Sequence, residues 1–316
     1  MKEPSHHLRM NGMKRDPIVI HLDEAGLRLD KWLSIRLPEH SREFWKQRIL
    51  KGEVTVNGKK VNPSRPLIEN DQIEFSIEVE ETKVTPAAEP LTLKLLYEDE
   101  WFFVVDKPAG LVVHPAHGHA SGTLADALGA MYPKGLSDLS GKDRQGIVHR
   151  LDKDTSGAML IARDNDTHEK LAKLFREQTI DRIYDAVAWG MPASLSGRID
   201  APIIRGDVNR KKMVVKEDGK EAKTDFRVLS QKDDMTHLEC RLLTGRTHQI
   251  RVHLAYIDHP VVGDRLYGGW RKGLALEYHL LHARGLAFTH PVTGEAFSVN
   301  SPLPSRFYSY VRREDL

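Results

Sequence analysis

Gly146-Ile147-Val148-His149-Arg150-Leu151-Asp152-Lys153-Asp154-Thr155-Ser156-Gly157 leads from a short apolar segment through a polar turn into a second one, Ala158-Met159-Leu160-Ile161-Ala162. The β-branched start and the apolar finish, broken by charged residues and closed by Gly157, predict strand, turn, strand. An aspartate where a strand gives way to a loop is held by a rigid scaffold and stays open to a ligand. Acids also shape turns by bonding their own backbone. Within this segment Asp152 and Asp154 are equally plausible as turn formers or as reactive groups.

Outward from this segment, residues 93–316 alternate strand and helix signals. Trp101 to Val105 and Leu111 to Val113 flank Lys107-Pro108-Ala109-Gly110, whose turn chemistry suits a hairpin. Helices are expected over Thr123 to Met131 and over Asp166 to Glu177, the second with Leu171, Leu174 and Phe175 on one face. Ile183 to Trp189 alternates as a strand does. Strands and helices mix without a strict βα alternation, so the fold class is α+β with a mixed, largely antiparallel sheet.

The N-terminal part reads differently. Residues 1–16 are polar and irregular and are expected to be disordered. Residues 17–80 predict a small α/β module. Leu29, Leu33 and Leu37 recur at helical spacing beside Trp32, and Pro38 ends that helix. Ser41 is a suitable N-cap for a second helix with Phe44, Trp45, Ile49 and Leu50 on its buried side and Gly52 as its stop. Val54 to Val61 then reads as a tight hairpin around Asn57-Gly58, the preferred type I′ pair. Residues 81–92, with Pro86 and Pro90, are an expected extended linker.

Composition bounds the function. The 316 residues are 40% hydrophobic and 29% charged, ordinary for a globular chain. The longest apolar runs are strand-sized, and the N-terminus has no secretory pattern. Cys240 is the only cysteine, which excludes an internal disulfide and a cysteine-rich zinc site and fits a reducing cytoplasm. The net charge of +2 is small, but its distribution is uneven. Arg28, Lys31, Arg36, Arg42, Lys46, Arg48 and Lys51 crowd the first sixty positions, while Glu69, Asp71, Glu74, Glu78, Glu80 and Glu81 follow. Such segregation suggests a basic face on the small module, suited to RNA phosphate.

No phosphate-binding loop, dinucleotide glycine fingerprint or nucleophile-elbow serine occurs. His114, His117 and His119 invite a metal, with His248, His253 and His259 later in the chain, but spacings of three and then two are not a helical ligand pair and no nearby carboxylate completes a site. What remains is an acid, a phenol and a guanidinium. Thr244 to Leu254 looks like a polar turn entering a helix capped by Thr247, with Ile250 and Leu254 facing the core. Arg251 lies close to that buried stripe and needs a carboxylate partner, for which Asp152 is the best candidate. Pairing would keep Asp152 ionised and aimed, as a nucleophile or general base must be. A purely structural ion pair competes with that role on the residues alone.

The segment His149 to Gly157 resembles the signature of the RluA/RluD family of pseudouridine synthases. Further matches keep family order: Asp106 to Pro115, Arg182-Ile183-Tyr184, Gly245 to His253, His259 to Asp264, and Leu281-His282-Ala283 with Phe288 to Pro291. Arg28 to Leu33, Ser41-Arg42 and Ile49 to Gly58 resemble the S4-like (αL) RNA-binding domain. The resemblance implies a pseudouridine synthase fold and an isomerase that flips uridine from the RNA stack. It implies Asp152 as the essential aspartate, Tyr184 against the uracil ring, Arg251 as the aspartate's partner, and Arg150 entering the stack in place of the flipped base. It implies RNA contact through Arg28, Lys31, Arg42, Lys46 and Lys51. No metal or organic cofactor is implied. Large-subunit ribosomal RNA is the expected partner, with transfer RNA as the alternative substrate. A non-catalytic RNA-binding assembly factor is the alternative from another class. A monomer with no membrane or nucleotide-cofactor contact is expected.

Overall fold

Alternation decides how the larger part is layered. Phe102 and Val104 point to one face of their strand and Phe103 and Val105 to the other, and all four are fully buried. Ala158, Leu160 and Ala162 divide from Met159 and Ile161 in the same way. A strand apolar on both sides must be covered on both sides. The computed structural model describes residues 17–37, 42–75, 93–115, 121–133, 135–141, 144–207 and 209–312. The chain divides into two compact units, residues 1–86 and 87–316.

In the first unit, β1 (Ile18–Val19), α1 (Leu29–Arg36), α2 (Arg42–Lys51), β2 (Val54–Val56) and β3 (Gln72–Phe75) enclose a core centred on Trp32, Trp45, Leu33 and Ile49. The three strands form a sheet in the order β1-β3-β2. Asp30 is buried and takes bonds from both Arg28 and Arg42 at 2.9–3.1 Å. Gly52 ends α2 with φ +79°. Leu50, expected on the buried side of α2, is instead 57% exposed, because Trp45 and Ile49 already fill the inward face.

Asn57 and Gly58 adopt positive φ, as a type I′ turn requires, but only Val56 and Lys59 pair across it. The ladder partner of β2 is β3, with Val54 opposite Phe75, so the hairpin expected over residues 54–61 does not continue past the turn. Pro38, Ser41, the tail 1–16, residues 76–80 and the linker 81–92 lie outside the described residues.

The second unit carries β4 (Lys94–Glu98), β5 (Phe102–Lys107), α3 (Leu124–Met131), β6 (Ser156–Ala162), α4 (Asn165–Arg176) and β7 (Asp181–Trp189). Then follow β8 (Ser196–Asp200), β9 (Ile203–Arg205), β10 (Met213–Val215), β11 (Lys223–Lys232), β12 (Met235–Leu242), α5 (Gln249–Tyr256), β13 (Leu281–Thr289) and β14 (Ala296–Asn300). The main sheet runs β4-β5-β6-β13-β7-β12-β11-β8, with β14 paired to β13. Among the described residues only the β6–β13 pair is parallel, so the sheet is mixed and mostly antiparallel, as expected. Helices α3 and α5 pack on one face through Leu124, Leu128, Ile250 and Leu254. Helix α4 covers the other face through Leu171, Leu174 and Phe175. Thr123 and Asp126 form a capping box that starts α3, and Asp164 caps α4.

Two local expectations differ. Residues 111–113 form no strand, and β5 pairs with β4 and β6 instead of folding back on them. Gly146 and Ile147 contribute a single bridge, Ile147 to Ile161, and residues 148–155 are loop. Long-range neighbours outcompete the local pairing in both places.

Gly157 sits where β6 meets both β5 and β13, opposite Lys107 and Ala283. Its φ is +119°, and an added Cβ would lie 2.2 Å from the Ala283 carbonyl oxygen. Gly157→Ala is therefore expected to strain the parallel junction by about 2–3 kcal/mol and to lower the melting temperature by roughly 5–10 °C in a thermal scan. A melting temperature unchanged from the parent would contradict this close approach.

Candidate active site

The loop between Ile147 and β6 is fastened at His149, Asp152, Lys153 and Thr155. His149 Nε2 accepts the Leu160 N–H at 2.9 Å, and its ring stacks on Phe175. Burial drives its pKa down to about 3, so it is a neutral acceptor. The Lys153 carbonyl accepts from Gly110 N–H at 2.9 Å and from the Lys107 ammonium at 3.0 Å. Lys107 is fully buried and also donates to the carbonyls of Pro108 and Leu111. Desolvation pulls its pKa down to about 7. Thr155 and Ser156 bond to His279 and His282, and Arg306 reaches Ser156 from the C-terminal end. Asp152 is thus carried by a loop with little freedom.

Helix α5 supplies the counter-charge. Arg251, 7% exposed, donates from Nη1 to Asp152 Oδ2 at 2.9 Å. From Nε and Nη2 it binds both oxygens of Asp264 at 2.6 and 3.0 Å. Asp264 also accepts the N–H groups of Leu266 and Tyr267. The guanidinium lies over the Tyr267 ring, 5.0 Å from its centroid. Burial alone would raise the Asp152 carboxyl, but His248, charged only at acid pH, together with the Arg251 charge and hydrogen bond, holds it below the usual carboxylate range. Asp154 behaves oppositely, because burial raises it without a bonded guanidinium. That contrast adds to the sequence preference for Asp152 over Asp154, which rested on the need of Arg251 for a carboxylate.

Asp152 and Tyr184 both line a cleft of about 770 Å³, together with Arg150, Arg182, Arg246 and His248. Tyr184 stands in β7 opposite Cys240 of β12, and burial pushes its phenol up to about 12. Two residues earlier on the same strand, Arg182 is buried beside it and donates to the Leu242 carbonyl at 3.0 Å. Arg150 lines the cleft and is exposed. Arg251 binds Asp152 behind this cleft, so the expected acid, phenol and guanidinium are gathered at one site.

The entry to α5 departs from expectation. Thr247 does not cap it; His248 is the N-cap residue, in the left-handed region with φ 59° and ψ 17°. The Gln249 amide ties the turn instead, accepting from Thr244 Oγ1 and Arg246 N–H and donating to Thr224 and the Lys223 carbonyl. Asp264, Arg182 and Lys107 were not singled out in the sequence as functional, and His248 was weighed only for a metal, although each lies within a quoted motif. A cation or histidine inside a buried pattern was the available signal.

Of the histidines considered for a metal, His117 and His119 lie outside the described residues. His253 is engaged by Thr224 and the Ala201 carbonyl, and His259 by the Trp189 carbonyl. On the first unit Lys31 and Lys51 are exposed, whereas Arg28 and Arg42 are half-exposed and spend hydrogen bonds on Asp30.

Residues 101–256 match the family model described as RNA pseudouridylate synthase, and residues 27–73 match the S4 domain. An uncharacterized RNA pseudouridine synthase of Bacillus subtilis is 42% identical over 92% of this chain and 95% of its own length. The ribosomal large subunit pseudouridine synthase D of Pseudomonas aeruginosa is 40% identical over 94% of this chain and 95% of its own. Human RNA pseudouridylate synthase domain containing 1 is 27% identical with a TM-score of 0.56, covering 68% of this chain and 85% of that one. The chain belongs to the RluA family of RNA pseudouridine synthases, isomerases of uridine in RNA, and carries an S4 domain toward its N-terminus.

Proposed function

We propose that the chain isomerises uridines of large-subunit ribosomal RNA, with Asp152 as the reacting carboxylate. The observation that carries the catalytic part is the Arg251 bond to Asp152 at the cleft: one oxygen is pinned at 2.9 Å and the charge is retained. The reaction breaks the N1–C1′ bond, forms a C5–C1′ bond, releases the C5 proton and returns a proton to N1. Atoms and electrons balance without an external reagent. A carboxylate ionised at neutral pH and held in orientation serves either as nucleophile or as base at the sugar.

Tyr184 is the ring-packing group. Its phenol stays protonated at neutral pH, so a flat apolar face against uracil is what its environment favours. Arg150, exposed at the rim, is the side chain that fills the gap left by the flipped base, its guanidinium stacking on neighbouring bases. The ribosomal substrate is supported by relatives at 40–42% identity that carry that name, such as the Pseudomonas aeruginosa protein. Lys31, Lys46, Lys51, Arg28 and Arg42 form the RNA-contacting set of the S4 unit.

Asp152→Asn is expected to abolish pseudouridine formation with RNA affinity within about twofold of the parent, since it removes charge and leaves shape. Substantial turnover by this variant would remove Asp152 from the centre of the reaction. Mapping pseudouridine in total RNA with and without the active gene should locate the lost sites in the large-subunit RNA; losses confined to transfer RNA would reassign the substrate.

In the S4 unit the cations should divide into two classes. Lys31→Gln and Lys51→Gln are each expected to lower the salt slope of RNA binding by about 1 with no change in melting temperature. Arg28→Gln and Arg42→Gln should also lower stability, because Asp30 is buried beneath them. Identical behaviour of all four in salt titration and thermal unfolding would refute the division.

A further inference from the structure

Asp152 presents its two oxygens to different neighbours. Oδ2 is taken by Arg251. Oδ1 faces His248 Nε2 at 3.9 Å, beyond hydrogen-bond reach, with both side chains lining the cleft. The other face of the histidine is fixed. His248 Nδ1 lies 2.8 Å from the Tyr267 hydroxyl, and that hydroxyl already accepts the Met213 N–H at 2.9 Å. With a backbone donor satisfying its oxygen, the phenol turns its single proton toward Nδ1, and the imidazole proton then sits on Nε2. The His248 backbone is left-handed, a conformation a non-glycine residue holds only when its surroundings demand it.

We propose that His248 is a further catalytic residue, a neutral Nε2–H donor to the base carbonyl oxygen next to the glycosidic nitrogen of the target uridine. This rests on Asp152 being the carboxylate that acts at the sugar. The carbonyl at C2 is the uracil oxygen nearest C1′, so a donor beside the reacting carboxylate oxygen is placed to meet it. As the N1–C1′ bond breaks, its electron pair stays on N1 and is shared with that oxygen. A fixed donor there stabilises the charge as it develops.

The groups facing the imidazole are Asp152, Arg251, Asp264, Arg150 and Tyr267. Desolvation is the largest influence among them and lowers the histidine pKa. The ring therefore works as a neutral donor at neutral pH.

The test is single-turnover release of tritium from uridine C5, using labelled total RNA from cells that lack the gene, with half-saturating RNA concentration and melting temperature measured in parallel. His248→Gly fits the left-handed backbone without strain and removes only the side chain. It is expected to slow the step about 100-fold at unchanged half-saturation. His248→Gln keeps an amide N–H where Nε2 sits and should recover activity to within about tenfold of the parent, and Tyr267→Phe, which frees the tautomer, should fall in between. A His248→Gly rate within about threefold of the parent, alongside an inactive Asp152→Asn, would overturn the proposal and leave the aspartate's role intact. A joint fall in affinity and melting temperature without rescue by Gln would make His248 structural and overturn it as well. Turnover by Asp152→Asn would instead remove the reading on which it rests.

Discussion

One buried guanidinium organises the centre of this protein. Arg251 binds Asp264 with two nitrogens and Asp152 with the third, so a single cation is shared by two carboxylates of different purpose. Asp264 is almost wholly buried and accepts two backbone N–H groups besides. It fixes the plane of the guanidinium, and the guanidinium fixes one oxygen of Asp152. Losing one partner of such a buried set leaves an uncompensated charge, a loss of about 3–5 kcal/mol. The arrangement therefore trades stability against position: the charges stay buried because only together are they satisfied.

Around that cation the fold supplies two rigid elements and one restrained loop. Helix α5 presents Arg251 because Ile250 and Leu254 anchor it in the core, turning the arginine toward the cleft wall. The loop carrying Asp152 is fixed by the buried Lys107 ammonium, by His149 on β6 and by Thr155 on His279. Lys107 has carbonyl oxygens, not a carboxylate, as hydrogen-bond partners. Burial pulls its pKa down to about 7, against the pull of the Asp152 and Asp154 charges, while it still closes the turn. Strand β7 brings Tyr184 to the same cleft, with its phenol kept protonated by burial.

Much of this was legible in the sequence, for reasons that differ by residue. The α+β class followed from mixed periodicities, and helices were expected over Thr123 to Met131 and Asp166 to Glu177, where α3 and α4 lie, although the Asp126 and Asp164 caps that start them were not read. The Asp152–Arg251 pair followed from an arginine beside a buried helical stripe, which needs a carboxylate. Asp264 was not legible as its second partner, since nothing in the spacing of residues 259–264 says which side chain faces Arg251. Turn chemistry was read correctly at Asn57-Gly58, yet the strand partner was not, because β3 lies far along the chain. Likewise Thr247 looked like a helix cap, but the left-handed His248 took that position, a conformation set by tertiary contacts with Tyr267.

The most direct measurement is the titration of the Asp152 carboxyl by carbon NMR in the folded, full-length protein. Its folded pKa is depressed, so its ionisation contributes stability above the unfolded value and is lost only as pH falls through the lower folded one. The carboxyl is expected to remain ionised below the ordinary value of 3.8. A carboxyl that takes up its proton above that value would contradict it, because the shared Arg251 would then not be holding the charge.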